Sequence, residues 1–120
     1  MNHDDAAAYL LSKPEALEDY PFGPDVAVYK IRGKMFAILA VEDSVARTNL
    51  KCDPQEALAL RDIFDAVLPG YHMNKKHWNT LQLDGSLPDS LVLELIRHSL
   101  DCVLGGCTKA VRERIQAELD

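Results

Sequence analysis

The residues with the clearest binding chemistry lie in one short stretch, HMNKKHW, at residues 72–78. It places Lys75 and Lys76 beside the chain's single tryptophan, Trp78, and it contains no carboxylate. Lysines attract phosphate groups, and an exposed indole can stack on a nucleic-acid base. The whole chain is acidic, with a formal net charge of −6. A local positive cluster therefore indicates either an anion-binding site or a solvated loop.

Packing is the competing interpretation of Trp78, because a tryptophan in a small domain usually covers apolar neighbours. The alternation in HWNTLQL places Leu81 and Leu83 on one face of a strand and Trp78 on the other. If the leucines face the core, the indole lies on the polar side. Stacking and packing both stay open at this residue.

No arrangement of nucleophile and base indicates catalysis. The sequence has no glycine-rich phosphate loop and no GxSxG elbow, and none of its cysteines stands in a basic setting at a helix start. His72 and His77 lack the i, i+4 helical spacing that is usual in two-histidine metal sites. We expect a non-enzymatic protein without a cofactor, and we predict no catalytic residue and no metal ligand.

Cysteines and acidic residues are the other groups with metal-binding chemistry. The three cysteines form no CxxC pair, and we interpret Cys52, Cys102 and Cys107 as buried small hydrophobic residues. Carboxylates cluster near the N-terminus, but Pro14 divides them, so they do not form one helical stripe. We interpret that region as a solvated helix with a favourable dipole. Its acidic residues are Asp4, Asp5, Glu15, Glu18 and Asp19.

Length and composition fit a single domain over residues 1–120. The chain is 48% hydrophobic and 27% charged, which is typical of a globular protein with one core. The longest apolar run, residues 35–41, is too short to cross a bilayer, and MNHDDAAAYLL has acids where a signal peptide has bases. We expect a cytoplasmic protein that makes no membrane contact.

Alternation of apolar and polar residues predicts a sheet in the middle of the chain. VAVYKIRGKMFAILAVE predicts two strands joined near Gly33, and VARTNLKC predicts a third strand with Arg47, Asn49 and Lys51 on one face. HWNTLQL predicts a fourth strand. The preceding segment EALEDYPFGPD contains two prolines and a glycine, and it predicts an acidic connector.

Apolar residues at helical spacing predict four helices. The first helix begins after Asn2 or His3. The second and third cover residues 54–67 and 88–103, and the fourth begins at about Thr108. The resulting order, αβββαβαα, predicts an α+β fold. We expect a two-layer sandwich in which the helices pack on one face of an antiparallel sheet.

Three segments resemble one known family. YPFGPDVAVYKIRGKMFAIL, HMNKKHWNTLQLDGSLPD and LIRHSL are similar to the MmcQ/YjbR family of small bacterial proteins, and their order matches across nearly the whole chain. The resemblance implies a compact fold like that of CyaY and frataxin. It also implies a double-wing-like arrangement for which DNA binding has been proposed.

Basic residues follow the predicted sheet. Residues 26–52 carry a net charge of +3 and residues 71–83 carry +2, so the rest of the chain carries −11. Simple solvation of a sheet face is the alternative explanation, and the acidic total predicts that any DNA contact is weak or local. The candidate nucleic-acid-binding residues are Lys30, Arg32, Lys34, Arg47, Lys51, Lys75, Lys76, His77 and Trp78.

We therefore expect a binding domain that contacts DNA through the basic sheet face and the loop around Trp78. The alternative is a protein-interaction or adaptor module without nucleic-acid contact, since the acidic ends and the basic sheet could each meet a complementary surface. The chain is expected to be a monomer or a weak homodimer.

Overall fold

Six strands pair into one antiparallel sheet in the computed structural model, which describes residues 1–70 and 73–119. The strand order is β1-β2-β3-β4-β6-β5, and every neighbouring pair is antiparallel. The predicted α+β class is therefore confirmed. His72 of the HMNKKHW stretch lies outside the described residues. The elements are α1 His3–Leu11, β1 Ala16–Asp19, β2 Val26–Ile31, β3 Lys34–Glu42, β4 Val45–Lys51, α2 Pro54–Ile63, β5 Val67–Pro69, β6 Trp78–Gln82, α3 Asp89–Leu104 and α4 Lys109–Leu119.

Two tight turns fix the register of the three central strands. Arg32 and Gly33 connect β2 to β3 with φ of 52° and 78°, and Asp43 and Ser44 connect β3 to β4 with φ of 52° and 66°. Two successive residues with positive φ match the right-handed twist of a hairpin. The turn predicted near Gly33 is confirmed.

The helices pack on one face of the sheet. Helix α1 contacts β1 and β3, α3 contacts β3 and β4, and α2 contacts β5 and β6. Leu10, Ile96 and Leu100 are fully buried between these layers, together with Ile115 of α4. None of the helices in the described part of the chain combines the length and apolar composition needed to cross a membrane.

Helix starts follow the capping rules that the sequence indicates. Asn2 caps α1 by accepting a hydrogen bond from the Asp5 N–H at 2.8 Å. Asp53 caps α2 by accepting from Gln55 and Glu56, and Pro54 occupies the first turn. Both caps satisfy backbone donors that the helix itself leaves free.

A β-bulge divides strand β3. Tyr29 pairs with Ala37 and Lys30 pairs with Met35, so Phe36 is an extra residue without a partner on β2. The bulge places both Phe36 and Ala37 in the core under the helices, where each is fully buried.

The side chain of Ser99 in α3 completes the backbone hydrogen bonding beside this bulge. Its hydroxyl donates to the carbonyl oxygen of Phe36 at 2.6 Å and accepts from the N–H of Lys51 at 2.9 Å. The pairing of β3 with β4 ends at Ala37 and Leu50, and Phe36 and Lys51 would be the next pair. Ser99 therefore takes the place of a ladder hydrogen bond and attaches α3 to both strands.

Two predicted boundaries were wrong. Residues 15–25 are not only a connector, because Ala16–Asp19 pairs with β2 as an edge strand. Helix α2 ends at Ile63 rather than at residue 67, since Phe64 adopts an extended backbone and the chain enters strand β5 at Val67. The predicted sheet over residues 26–52 and 77–83 is confirmed.

Replacement of Ser99 by alanine should destabilise the protein by about 2–4 kcal/mol, because it leaves two buried backbone groups without a partner. Urea unfolding measures this loss. Ser90→Ala is the control, since Ser90 is exposed in the first turn of α3 and should change stability by about 0.5 kcal/mol or less. Equal stability of the two variants would contradict the bridging role of Ser99.

Candidate functional site

The face of the sheet opposite the helices contains a cleft of about 630 Å³. Strand register builds it in rows: Ile38, Asn49 and Thr80 are neighbours across three strands, and Ala40 lies beside Arg47. Most of its lining is apolar, and volumes of this size are typical of ligand-binding clefts. The apolar lining residues are Phe22, Val26, Met35, Ile38, Ala40, Val41 and Met73, and the polar ones are Glu42, Arg47, Asn49 and Thr80.

Large apolar side chains of this face are open to solvent. Phe22 lines the cleft and is 69% exposed. Val41 is 56% exposed, but it pairs with Ala46 of the core, so its side chain lies on the other face of the sheet. Leu17 of β1 is 67% exposed, and it pairs with Lys30 at the edge of the sheet. The uncovered face of an antiparallel sheet is ordinarily polar, and contiguous exposed apolar surface marks an interaction site.

Arg47 supplies a hydrogen-bond donor at the polar end of the cleft. Its Nη1 lies 3.3 Å from Oε2 of Glu42, whereas its Nε is buried and has no hydrogen-bond partner within the described residues. On the neighbouring strands, the Thr80 hydroxyl donates to Oδ1 of Asn49 at 2.6 Å. The cleft therefore combines an apolar floor with a guanidinium that can donate to an incoming acceptor.

Acidic neighbours neutralise part of the predicted basic face. Nζ of Lys30 lies 3.4 Å from Asp19, and Arg47 pairs with Glu42 as described above. The guanidinium of Arg32, in the β2–β3 turn, lies 3.6 Å from Glu15. These pairs lower the positive potential that the sequence indicates for this region.

The remaining basic residues do not lie on one surface. Lys34 lies at the start of β3, and its ammonium sits against Gly106 in the α3–α4 turn, where a Cβ would be 2.9 Å from Nζ. Lys51 is half-buried on β4, beside Trp78. Lys75 and Lys76 are exposed in the turn before β6.

Trp78 lies on the uncovered face, as the alternation predicted, but it is only 8% exposed. Backbone hydrogen bonds hold it on both sides: its carbonyl accepts from Gly70 N–H at 2.9 Å, and its N–H donates to Asn74 at 3.0 Å. A Cβ on Gly70 would lie 2.7 Å from the Trp78 Cβ, so the chain can approach this closely only at a glycine. The ring therefore offers little area for base stacking, and His77 beside it is half-buried.

A second cluster contains residues that the sequence did not single out as a group. Ligand atoms of Cys52, Glu56 and His98 lie within 4.8 Å of one another. In addition, Sγ of Cys102 lies 3.6 Å from Nε2 of His98. His98 and Cys102 are four residues apart on one helix, a spacing that could have indicated a shared site in the sequence. Cys52 and Glu56 are more than forty positions away from His98, so no local pattern links them to it.

The thiols of this cluster are poor nucleophiles. Burial, aided by the charge of Glu56, raises the pKa of the Cys52 thiol to about 12. Burial likewise raises the pKa of Cys102 above its usual range, although Lys51 opposes the shift. A protonated thiol does not attack an electrophile, so the cluster lacks the activated cysteine that covalent catalysis requires.

Comparison with known proteins assigns most of the chain to one family. The YjbR family model matches residues 11–102. The uncharacterized protein YbdF of Escherichia coli O157:H7 is 36% identical over 114 residues, which cover 95% of this chain and 93% of the relative. The uncharacterized protein YjbR of Escherichia coli K12 is 32% identical over 96 residues, which cover 80% of this chain and 81% of the relative.

Solved structures share the same architecture. Protein DR2400 of Deinococcus radiodurans, with a DUF419 domain, superposes with a TM-score of 0.86 at 36% identity, covering 96% of this chain and 88% of the neighbour. A Pseudomonas syringae protein superposes with a TM-score of 0.77 at 29% identity, covering 86% of this chain and 99% of the neighbour.

The burial of Trp78 predicts a fluorescence spectrum typical of an indole away from water. In the native protein the emission should be blue-shifted and weakly quenched by iodide, and unfolding in urea should shift it to the red and remove the protection. Because the chain has one tryptophan, the signal reports this site alone. Native emission as accessible to iodide as that of the unfolded chain would contradict the buried placement.

Proposed function

The chain belongs to the YjbR family, and we propose that it is a non-enzymatic binding domain whose site is the cleft on the uncovered sheet face. The ligand in this proposal is a segment of a partner protein. The observation that carries it is the apolar lining of the cleft, in which Phe22 is 69% exposed. Covering such a surface removes apolar area from water and so favours association.

The chemistry of the cleft defines the segment that it would accept. Apolar side chains of the partner would fill the floor between Met35 and Ile38. A carbonyl or carboxylate oxygen would accept from the guanidinium of Arg47, whose side chain is partly exposed, because a charged donor forms a strong hydrogen bond. Apolar anchors with one oriented polar contact are the usual composition of a protein interface.

The polar groups of the cleft support a non-enzymatic role for this site. Within residues 1–70 and 73–119 they are an arginine paired with a glutamate and an asparagine bonded to a threonine. None of these is a thiol or a hydroxyl that donates to a histidine or carboxylate base. Binding, rather than bond making, is the chemistry that they support.

DNA binding is the second candidate function, and the exposed Lys75 and Lys76 favour it. Two adjacent lysines in a turn can contact a phosphate backbone without any change in the fold. The ion pairs of Lys30, Arg32 and Arg47 weigh against a broad DNA-binding face. Any contact would therefore be limited to this turn and strongly dependent on salt.

The variant Phe22→Ser should weaken binding of cleft-directed peptides at least tenfold. Peptides selected from a random display library on the wild-type protein serve as probes, and isothermal titration gives the affinities. Loss of burial of this apolar anchor accounts for about 1.4 kcal/mol or more, which is tenfold. The control is Ile63→Ser, which removes an apolar side chain of the same exposure, 69%, from α2. Equal affinity of both variants for the peptides would contradict the proposed site.

The double variant Lys75→Gln and Lys76→Gln tests the DNA candidate. If both lysines contact phosphate, binding of a duplex oligonucleotide should weaken, and the slope of log K against log salt should become shallower by about 1.8. Lys109→Gln is the control, since Lys109 is exposed on α4 and pairs with Glu113. An unchanged slope in the double variant, or no oligonucleotide binding by the wild type at low salt, would contradict a role in DNA binding.

A further inference from the structure

We propose that Cys52, Glu56 and His98 bind one zinc ion, with Cys102 as the fourth ligand. The site is separate from the cleft and independent of the proposed binding function. Cys52 follows the last residue of β4, Glu56 lies in the first turn of α2, and the other two residues lie one turn apart on α3. Three elements therefore converge on one point.

Distances within the cluster suit a small tetrahedral ion. One ligand atom each of Cys52, Glu56 and His98 lies within 4.8 Å of the others. Zinc bonds of about 2.0–2.3 Å bring tetrahedral ligand atoms to roughly 3.3–3.8 Å from one another. The observed separations are close enough for side-chain rotation to close the site, and Cys102 Sγ already lies 3.6 Å from His98 Nε2.

The surroundings of the imidazole distinguish a metal site from a catalytic triad. In a triad, the nucleophile and the carboxylate contact opposite nitrogens of the histidine. Here Oε2 of Glu56 and Sγ of Cys102 both lie 3.6 Å from the same atom, Nε2 of His98, which also accepts a hydrogen bond from the N–H of Asp53 at 3.2 Å. A cation at Nε2 would displace that hydrogen bond and replace the two longer contacts with coordinate bonds.

Ligand type and charge favour zinc over other common metals. Two thiolates and an imidazole are soft or borderline donors, which calcium and magnesium do not select. Zinc binding displaces the protons of both thiols into solvent, and with two thiolates and one carboxylate the loaded site has a net charge of −1. Lys51, whose charge acts on Cys102, and the positive end of the α2 dipole stabilise that charge.

The position of the cluster allows a metal ion to enter from solvent. The side chains of His98 and Glu56 are 31% and 49% exposed, whereas Cys52 is buried beneath them. A bound ion would join the end of β4 to α2 and α3, in addition to the hydrogen bonds that Ser99 and His98 of α3 already accept there. Its effect would be to stabilise the folded chain, as a closed four-ligand zinc site does.

Zinc chloride added to the chelator-treated full chain, in the presence of a reductant, tests the proposal. Competition with a chromophoric chelator should give one zinc per chain, and the melting temperature should rise with zinc concentration. Cobalt chloride should give thiolate charge-transfer absorption and the visible bands of a tetrahedral site. No binding beyond that of weak surface sites, or cobalt spectra without thiolate absorption, would overturn the proposal.

Variants assign the ligands. His98→Gln and Glu56→Gln should each weaken zinc binding at least tenfold, and both replace partly exposed residues, so they test the site even if Cys52→Ser fails to fold. Cys102→Ser should also weaken zinc binding and reduce the thiolate absorption, and an unchanged affinity would exclude it as the fourth ligand. Cys107→Ser is the matched control: it removes the third thiol, which follows α3 outside the cluster, and it should keep one zinc per chain. An equal loss of zinc affinity in Cys107→Ser and in His98→Gln would overturn the assignment of the ligands to this cluster.

Discussion

The hydroxyl of Ser99 is the contact on which the arrangement of helix and sheet depends. One buried oxygen accepts from Lys51 N–H and donates to the Phe36 carbonyl, so it satisfies two backbone groups on different strands. Because the two bonds join one side chain of α3 to two different strands, together they fix the height of α3 over β3 and β4. That height places the preceding residue, His98, over the end of β4, where Cys52 begins the connection to α2.

The bulge that Ser99 completes also decides which residues face the cleft. If Phe36 continued the regular alternation of the strand, it would face the cleft and Met35 would face the helices, because a shift of one residue moves every following side chain to the opposite face. With the bulge, Met35 shares the uncovered face with Ile38 and lines the cleft. The bulge therefore places Phe36 in the core and Met35 in the proposed binding surface at the same time. A change that removes the bulge would alter both the core and the cleft.

Sequence patterns predicted the elements whose periodicity is local. Alternation in VARTNLKC placed Arg47 and Asn49 on one face and Thr48 and Leu50 on the other, as the structure has them. Strand β1 was missed because four residues between prolines, with no buried side chain, show no clear period. Strand β5 was missed because Val67 continues the apolar spacing of α2, although Phe64 has left the helical backbone. The cluster of Cys52, Glu56 and His98 depends on how β4 and α3 meet, and residues so far apart carry no common pattern in one sequence.

The missed strand β1 also explains why charge summed along the sequence overstates the positive face. Residues 26–52 carry +3, but residues 15–19 contain three carboxylates, and β1 lies beside β2 in the sheet. The two segments together have no net charge, and Asp19 and Glu15 contact bases of the β2–β3 hairpin directly. Recognition at the centre of this face must then rest on apolar area and shape, since long-range attraction of phosphate requires charge that is not cancelled nearby. Cationic character remains in the turn that contains Lys75 and Lys76, so the surfaces suited to a protein segment and to a nucleic acid are different parts of the molecule.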